Sequence, residues 1–200
     1  MIIRKKFKFE GAHIVRNCSS ERCKFSIHGH SYVVEVFITS DKFDNGMMVM
    51  DFGLMKTNLK DFIDGFDHAY SMWNKESSEF KDFIYNNSNR FIELPVSPSA
   101  EAYSLMFFKV IDEMIKATQF ANGEGNVKLS SVRVHETTTG YAESFREDLE
   151  LFDINLEDII ISDSIKSEWK DPFMYSKLCE ASKNKTICFY NDVVVQQITL

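Results

Sequence analysis

Two histidines one residue apart, His28 and His30, follow Cys23 in the stretch CKFSIHGHSYVVEV. A third, His13, closes an earlier alternating run, IIRKKFKFEGAHI. At the period of a β-strand, His28 and His30 share a face with Tyr32, Val34, Val36 and Ile38, and His13 shares one with Phe7, Phe9 and Gly11. If the two strands pair antiparallel, all three imidazoles converge. Three neutral histidines around a zinc ion leave a fourth position open, as a catalytic site requires, whereas four protein ligands would make the site structural. Each histidine taken singly reads as an ordinary hydrogen-bonded ring; the set of three asks for a metal. A competing grouping joins Cys18, Cys23, His28 and His30. Its crowded spacing is unlike that of a zinc finger, and it leaves His13 unused.

Three further places carry reactive side chains. Cys23 sits in a polar connection just before the histidine pair. A lone cysteine is most often a small buried hydrophobe, but beside a dication or an imidazolium its thiol becomes a usable base or nucleophile. In GFDHAY, Asp67 could orient His68 as an acid–base relay, although the dipeptide by itself reads as a solvated pair at a helix end. In SVRVHETTTG, Val132, Val134 and Glu136 share one strand face and Arg133 and His135 the other. Glu136 is thus an inward carboxylate that needs a partner, either a ligand with two N–H donors or a nearby lysine or arginine. His135 reads as a surface histidine.

Positioning these groups falls to a short series of elements. The two histidine-bearing strands come first, then SDKFDNGM, with Asn45-Gly46 as a hairpin turn. DFGLMKTNLKDFIDGF reads as a helix, because Phe52, Met55, Leu59, Phe62, Ile63 and Phe66 recur at spacings of three and four. A second helix starts near SPSAEAYSLMFFKVIDEMIKA, with Ser97 as its cap and Pro98 in its first turn. NVKLSSVRVHETTTGYAESF supplies two last strands about a turn near Gly140. The order strand-strand-helix-helix-strand-strand predicts an α+β fold, an antiparallel sheet with two helices on one face. Beyond residue 146 the chain turns acidic and loses histidine, so residues 1–146 read as a complete domain and 147–200 as a C-terminal extension packed on it. TICFYNDVVVQQITL at its end reads as a closing strand.

With 200 residues and 44% hydrophobic content the chain can bury one full core. A net charge of -7 offers no basic footprint for nucleic acid. The opening MIIRKKFKF has no apolar run of a signal peptide, and no run approaches the roughly 18 residues that span a bilayer. Four cysteines in a chain of this size do not form a disulfide framework, which points to the cytoplasm.

The ordered set FEGAH, Cys23 with His28-Gly-His30, MVMDFGLMK, FDHAY, SPSAE and VHETTTG resembles the 6-pyruvoyl-tetrahydropterin synthase family over about the first 145 residues. The resemblance implies Zn2+ held by His13, His28 and His30, a catalytic thiol at Cys23, and Asp67 and His68 completing the acid–base set. It implies that Glu136 grips the 2-amino and ring N–H edge of a pterin, with Glu101, Ser99, Ala100 and Thr137 lining the same pocket. It further implies the tunnelling fold, whose sheets join into a barrel across a homo-oligomer, trimer or hexamer, with sites at subunit interfaces. Within the family the bacterial 6-carboxy-tetrahydropterin synthases of queuosine biosynthesis release acetaldehyde from 7,8-dihydroneopterin triphosphate. The pyruvoyl synthases retain the side chain as a diketone. A non-catalytic zinc- or pterin-binding protein is the alternative of another class. Ala102 stands where the family usually has asparagine, and the extension has no counterpart in the short bacterial enzymes.

Overall fold

The computed structural model describes residues 1–152 and 154–190. Alternating apolar and charged residues make β1 (Ile2–His13) and β2 (His28–Thr39) a long antiparallel pair, with Phe9 opposite Tyr32, Gly11 opposite His30 and His13 opposite His28. β6 (Lys128–His135) pairs antiparallel with β2, and β7 (Tyr141–Ser144) with β6. On the other side of β1 lie β3 (Ala69–Trp73) and β4 (Phe91–Leu94), both parallel, and then β8 (Ile160–Ile161), antiparallel to β4. The sheet therefore runs β7-β6-β2-β1-β3-β4-β8 and is mixed, not purely antiparallel. A two-stranded piece pairs β5 (Thr118–Gln119) with β9 (Phe189–Tyr190). The expected closing strand is described only to Tyr190; residues 191–200 lie outside the described residues.

One face of this sheet is apolar by parity: Phe9, Tyr32, Val34, Val36, Ile38, Val132 and Val134 are buried. Each such side chain contributes about 1.5–3 kcal/mol by leaving water. Against them pack α2 (Asn58–Asp64) and α4 (Ala100–Lys116), both legible in the hydrophobic spacing. The expected helix over 51–66 is broken: a 3-10 turn at Phe52–Lys56, capped by Asp51, precedes α2, and Phe52 is exposed. β-Branched Thr57, at φ -107 and ψ -118, interrupts it. α4 is capped by Ser99, whose Oγ accepts from the Ala102 amide at 3.2 Å, not by Ser97. Asn45-Gly46 lies in a turn held by Asp44, whose carboxylate accepts from the Gly46 and Met48 amides, but no strand follows it to make a hairpin.

Between α2 and α4 the spacing did not announce β3, α3 (Ser78–Asn87) and β4. The polar connection before His28 likewise contains a short helix, α1 (Glu21–Phe25). After β7 the chain makes two 3-10 turns and two helices, α5 (Asp163–Glu168) and α6 (Met174–Asn184). Their Ile165, Tyr175 and Leu178, with Trp169 just past α5, join the main core, and Tyr175 stacks on Phe62 with centroids 5.8 Å apart. α4 is consequently buried on two sides. Its Asp112 accepts from Arg146, and burial, which raises the carboxyl's pKa, is outweighed by Arg146 and Lys116, so it titrates below its ordinary range. No described helix is long and apolar enough to cross a membrane.

Candidate metal centre and active site

The pairing of β1 with β2 builds the centre. His13 faces His28 directly, and His30 stands two residues along on the same face, so the ring centroids are 4.5, 5.3 and 5.2 Å apart. One nitrogen from each ring falls within 4.8 Å of the others. Glycine between the two β2 histidines is required by contact: a Cβ on Gly29 would lie 2.7 Å from the Gly11 carbonyl oxygen and push the strands apart.

The rings are oriented by main-chain carbonyls. His13 Nδ1 lies 2.6 Å from the Pro98 oxygen and His28 Nδ1 2.9 Å from the Ser26 oxygen. A carbonyl can only accept, so the proton sits on Nδ1 and leaves the Nε2 lone pair for a cation. His13 is completely buried, and that desolvation, with the neighbouring His28 and His30 charges adding to it against the Pro98 bond, pushes its pKa down to about 4. It is a neutral imidazole at pH 7, the form a ligand needs. Three imidazole nitrogens gathered without a fourth protein ligand among the described residues suit zinc.

Glu136 follows β6 at the mouth of the cluster. Its Oε1 is 3.7 Å from His13 Nε2, 3.8 Å from His30 Nε2 and 3.5 Å from the Tyr32 hydroxyl. Among the described residues no lysine or arginine pairs with it, so of the two partners expected for this carboxylate the cationic one is missing. The Tyr32 hydroxyl, 3.3 Å from the His13 ring, is pushed far above its usual pKa by burial, then by Tyr103, Glu136 and Cys23, and remains a proton donor. Its face was legible in the alternation; its hydroxyl as a neighbour of the centre was not. Nor were the orienting carbonyls of Ser26 and Pro98, since a backbone oxygen leaves no mark in a side-chain pattern.

Cys23 is half-buried on α1, whose carbonyl at Cys23 accepts from the Val15 amide at 3.0 Å. Neither Cys23 nor Cys18 joins the three nitrogens, and the Cys18 thiol donates to the Ser20 carbonyl instead. The two-cysteine, two-histidine grouping is not assembled. Ser99 spends its hydroxyl on capping α4, with Ala100 and Glu101 in the first turn and the Glu101 side chain in solvent. Thr137 Oγ1 accepts from the Gly140 amide at 3.1 Å and shapes the turn after Glu136.

Asp67 and His68 lie on the turn between α2 and β3. Asp67 Oδ2 is 2.7 Å from His68 Nδ1, and Oδ1 accepts from the Glu10 amide at 2.7 Å. Partial burial raises the Asp67 pKa, but the Glu10 amide, His68 and Arg90 hold it below the usual carboxylate range. His68 adopts φ 54°, a left-handed conformation that costs a non-glycine residue about 1–2 kcal/mol. Its side chain is 76% exposed and stands apart from the three-histidine group, although His30 and His68 both line an open cleft of about 480 Å³. His135 is less exposed than expected. It bonds Glu35, a carboxylate buried on the opposite sheet face beneath Arg4, Lys6 and Arg133.

Comparison with known proteins bears on what this arrangement does. A family profile described as 6-pyruvoyl tetrahydropterin synthase matches residues 2–147. A Helicobacter pylori strain J99 protein named 6-carboxy-5,6,7,8-tetrahydropterin synthase is 45% identical over 202 residues, covering 99% of this chain and 100% of its own length. An Aquifex aeolicus protein of the same name is 32% identical over 136 residues, 66% of this chain and 82% of its own. Among solved structures, Plasmodium vivax 6-pyruvoyl tetrahydropterin synthase superposes with a TM-score of 0.53 over 73% of this chain and 98% of its own, at 18% identity, which speaks to the fold.

Proposed function

The chain belongs to the 6-pyruvoyl tetrahydropterin synthase family, and on that premise we propose that it is a zinc-dependent lyase acting on 7,8-dihydroneopterin triphosphate. Its products are 6-carboxy-5,6,7,8-tetrahydropterin, acetaldehyde and triphosphate, the tetrahydropterin step of queuosine biosynthesis. The observation that carries this reading is the convergence of His13, His28 and His30 within 4.8 Å, with the Glu136 carboxylate beside them. The full-length relative at 45% identity bears the carboxy name, which favours this product over a pyruvoyl one.

His13, His28 and His30 would hold zinc, which would supply Lewis acidity to the hydroxyls of the substrate side chain and make the neighbouring protons easier to remove. Cys23 serves as the general base that takes one of those protons. The His68 ring, its Nδ1–H held by Asp67, keeps Nε2 free to exchange another as triphosphate leaves. Glu136 grips the 2-amino and ring N–H edge of the pterin; its lack of a cationic partner supports that use. Ser99, Ala100, Glu101 and Thr137 complete the pocket from the start of α4 and the turn after β6. Tyr32 holds its proton throughout and braces the Glu136 carboxylate.

We take residues 1–146 as the catalytic domain and 147–200 as an extension packed on it, and the whole as a cytoplasmic homo-oligomer, trimer or hexamer. Four unpaired thiols favour a reducing compartment. Sites at subunit interfaces are supported by the exposure of His68, whose ring has Asp67 as its polar partner and is open to a second copy. Mass spectrometry of the product formed from 7,8-dihydroneopterin triphosphate, with metal analysis of the same sample, tests the reading. Acetaldehyde and the carboxy product are expected; a retained diketone side chain identifies a pyruvoyl synthase, and no turnover with bound pterin identifies a binder.

A further inference from the structure

We infer that the segment after residue 147 acts as a clamp on the turn that carries Asp67 and His68, with Arg90 and Glu168 as positioning residues. This rests on the reading of Asp67 and His68 as the acid–base pair. The turn has reason to need holding. α2 ends there: the Asp64 carbonyl takes the Asp67 amide at 2.9 Å in a tight turn, the Gly65 and Asp67 carbonyls lie beyond the helix, and His68 stands in the left-handed region. The Arg90 guanidinium meets those carbonyls. It donates to Asp67 O at 2.9 Å through Nε, and to Gly65 O at 3.3 Å and Asp64 O at 3.4 Å through one terminal nitrogen. A rigid planar fork at a helix C-terminus fixes several oxygens together, which a lysine point charge cannot do.

The other terminal nitrogen of Arg90 donates to Glu168 at 2.5 Å, and Glu168 is the last residue of α5. The extension thereby sets the direction of the fork. It also presses on the turn directly: a Cβ on Gly65 would lie 2.9 Å from Ile165 Cγ2, and the Lys170 amide donates to Asp61 Oδ2 at 3.0 Å. Turn, fork and extension form one packed unit, so a displacement of α5 reaches the His68 ring through two hydrogen bonds. A tail beyond the family profile acquires a role in geometry and none in chemistry.

The test combines amide hydrogen–deuterium exchange with steady-state kinetics on the zinc-loaded full chain, in wild type, Glu168→Ala, Glu168→Gln and Arg90→Lys. Exchange of the His68 amide, bonded to Glu10 O at 2.7 Å, should quicken about tenfold in Glu168→Ala and Arg90→Lys. Their kcat should fall about tenfold or more, with KM and zinc content held within about twofold, because a misplaced acid–base group costs rate and not affinity. Glu168→Gln, which keeps an acceptor for Arg90, should recover most of kcat. Unchanged exchange at His68 in both variants overturns the clamp, as does a kcat loss that comes with zinc loss or faster exchange throughout the chain. A wild type that turns over no dihydroneopterin triphosphate overturns the functional reading instead, and the exchange measurements then decide the clamp alone.

Discussion

His13 is wholly buried and His68 is three-quarters exposed, and the chain holds the two rings by different means. The three-histidine cluster is made by adjacent strands in register, with His13 and His28 oriented by carbonyls and the core directly behind. The Asp67–His68 turn sits at a helix end in a costly backbone conformation and is tied down by residues 23 to 109 positions away. A ligand needs a fixed lone pair and a dry setting, which sheet pairing provides. A proton-transfer ring needs access, so its restraint has to come from outside the sheet.

The contrast can be broken first at the centre. His28→Ala, chosen because His28 is less buried than His13, should remove zinc and bring turnover to background while the fold survives. Metal analysis and circular dichroism check this, and full activity in the metal-free variant would end the Lewis-acid account. Cys23→Ala should keep zinc and lower kcat by about 10²- to 10⁴-fold, the usual worth of a general base; loss of the metal with the thiol would favour a thiolate-ligated site. Gly29→Ala separates β1 from β2 between the ligands, with an expected destabilisation of about 1–3 kcal/mol from overpacking and weaker zinc binding. Thermal melts and a zinc competition titration would read both, and an unaltered melt would mean that the strands part easily.

The smallest effect belongs to the turn. Because the Asp67 pKa is lowered on folding, its contribution to stability is present above the ordinary carboxylate range and fades as pH falls through the depressed value. Asp67→Asn should cost under about 1 kcal/mol at pH 7, the pair being half in water, and the gap from wild type should close below about pH 4. Urea unfolding at pH 7 and pH 3 measures it; a gap that widens in acid would reverse the assignment.

The centre was legible from parity because β1 and β2 are twelve residues each and buried on one side. The same reasoning put Glu136 inward and His135 on the other face. It did not find β3, α3 and β4: the two strands have five and four residues, β3 is buried almost throughout, and α3 buries Ile84 alone. Two-residue strands and 3-10 turns in the extension fall below the length at which a period can be seen. At the start of α4, Ser97 and Ser99 are equally good caps by type, and the helix begins at Ala100 with the second as its cap. Sequence spacing also could not show Arg90 and Glu168 as partners, because 78 positions separate them.

β2 carries His28 and His30 in its first three residues and Val34, Val36 and Ile38 in its later half, all on one side of the strand. Threading it one residue out of frame would turn both histidines away and eject those three aliphatic chains in the same motion. Losing them, at about 1.5–3 kcal/mol each, is comparable to the whole stability of an ordinary domain. A misthreaded copy therefore unfolds instead of persisting with its histidines scattered, so folding and the gathering of the three imidazoles are one event.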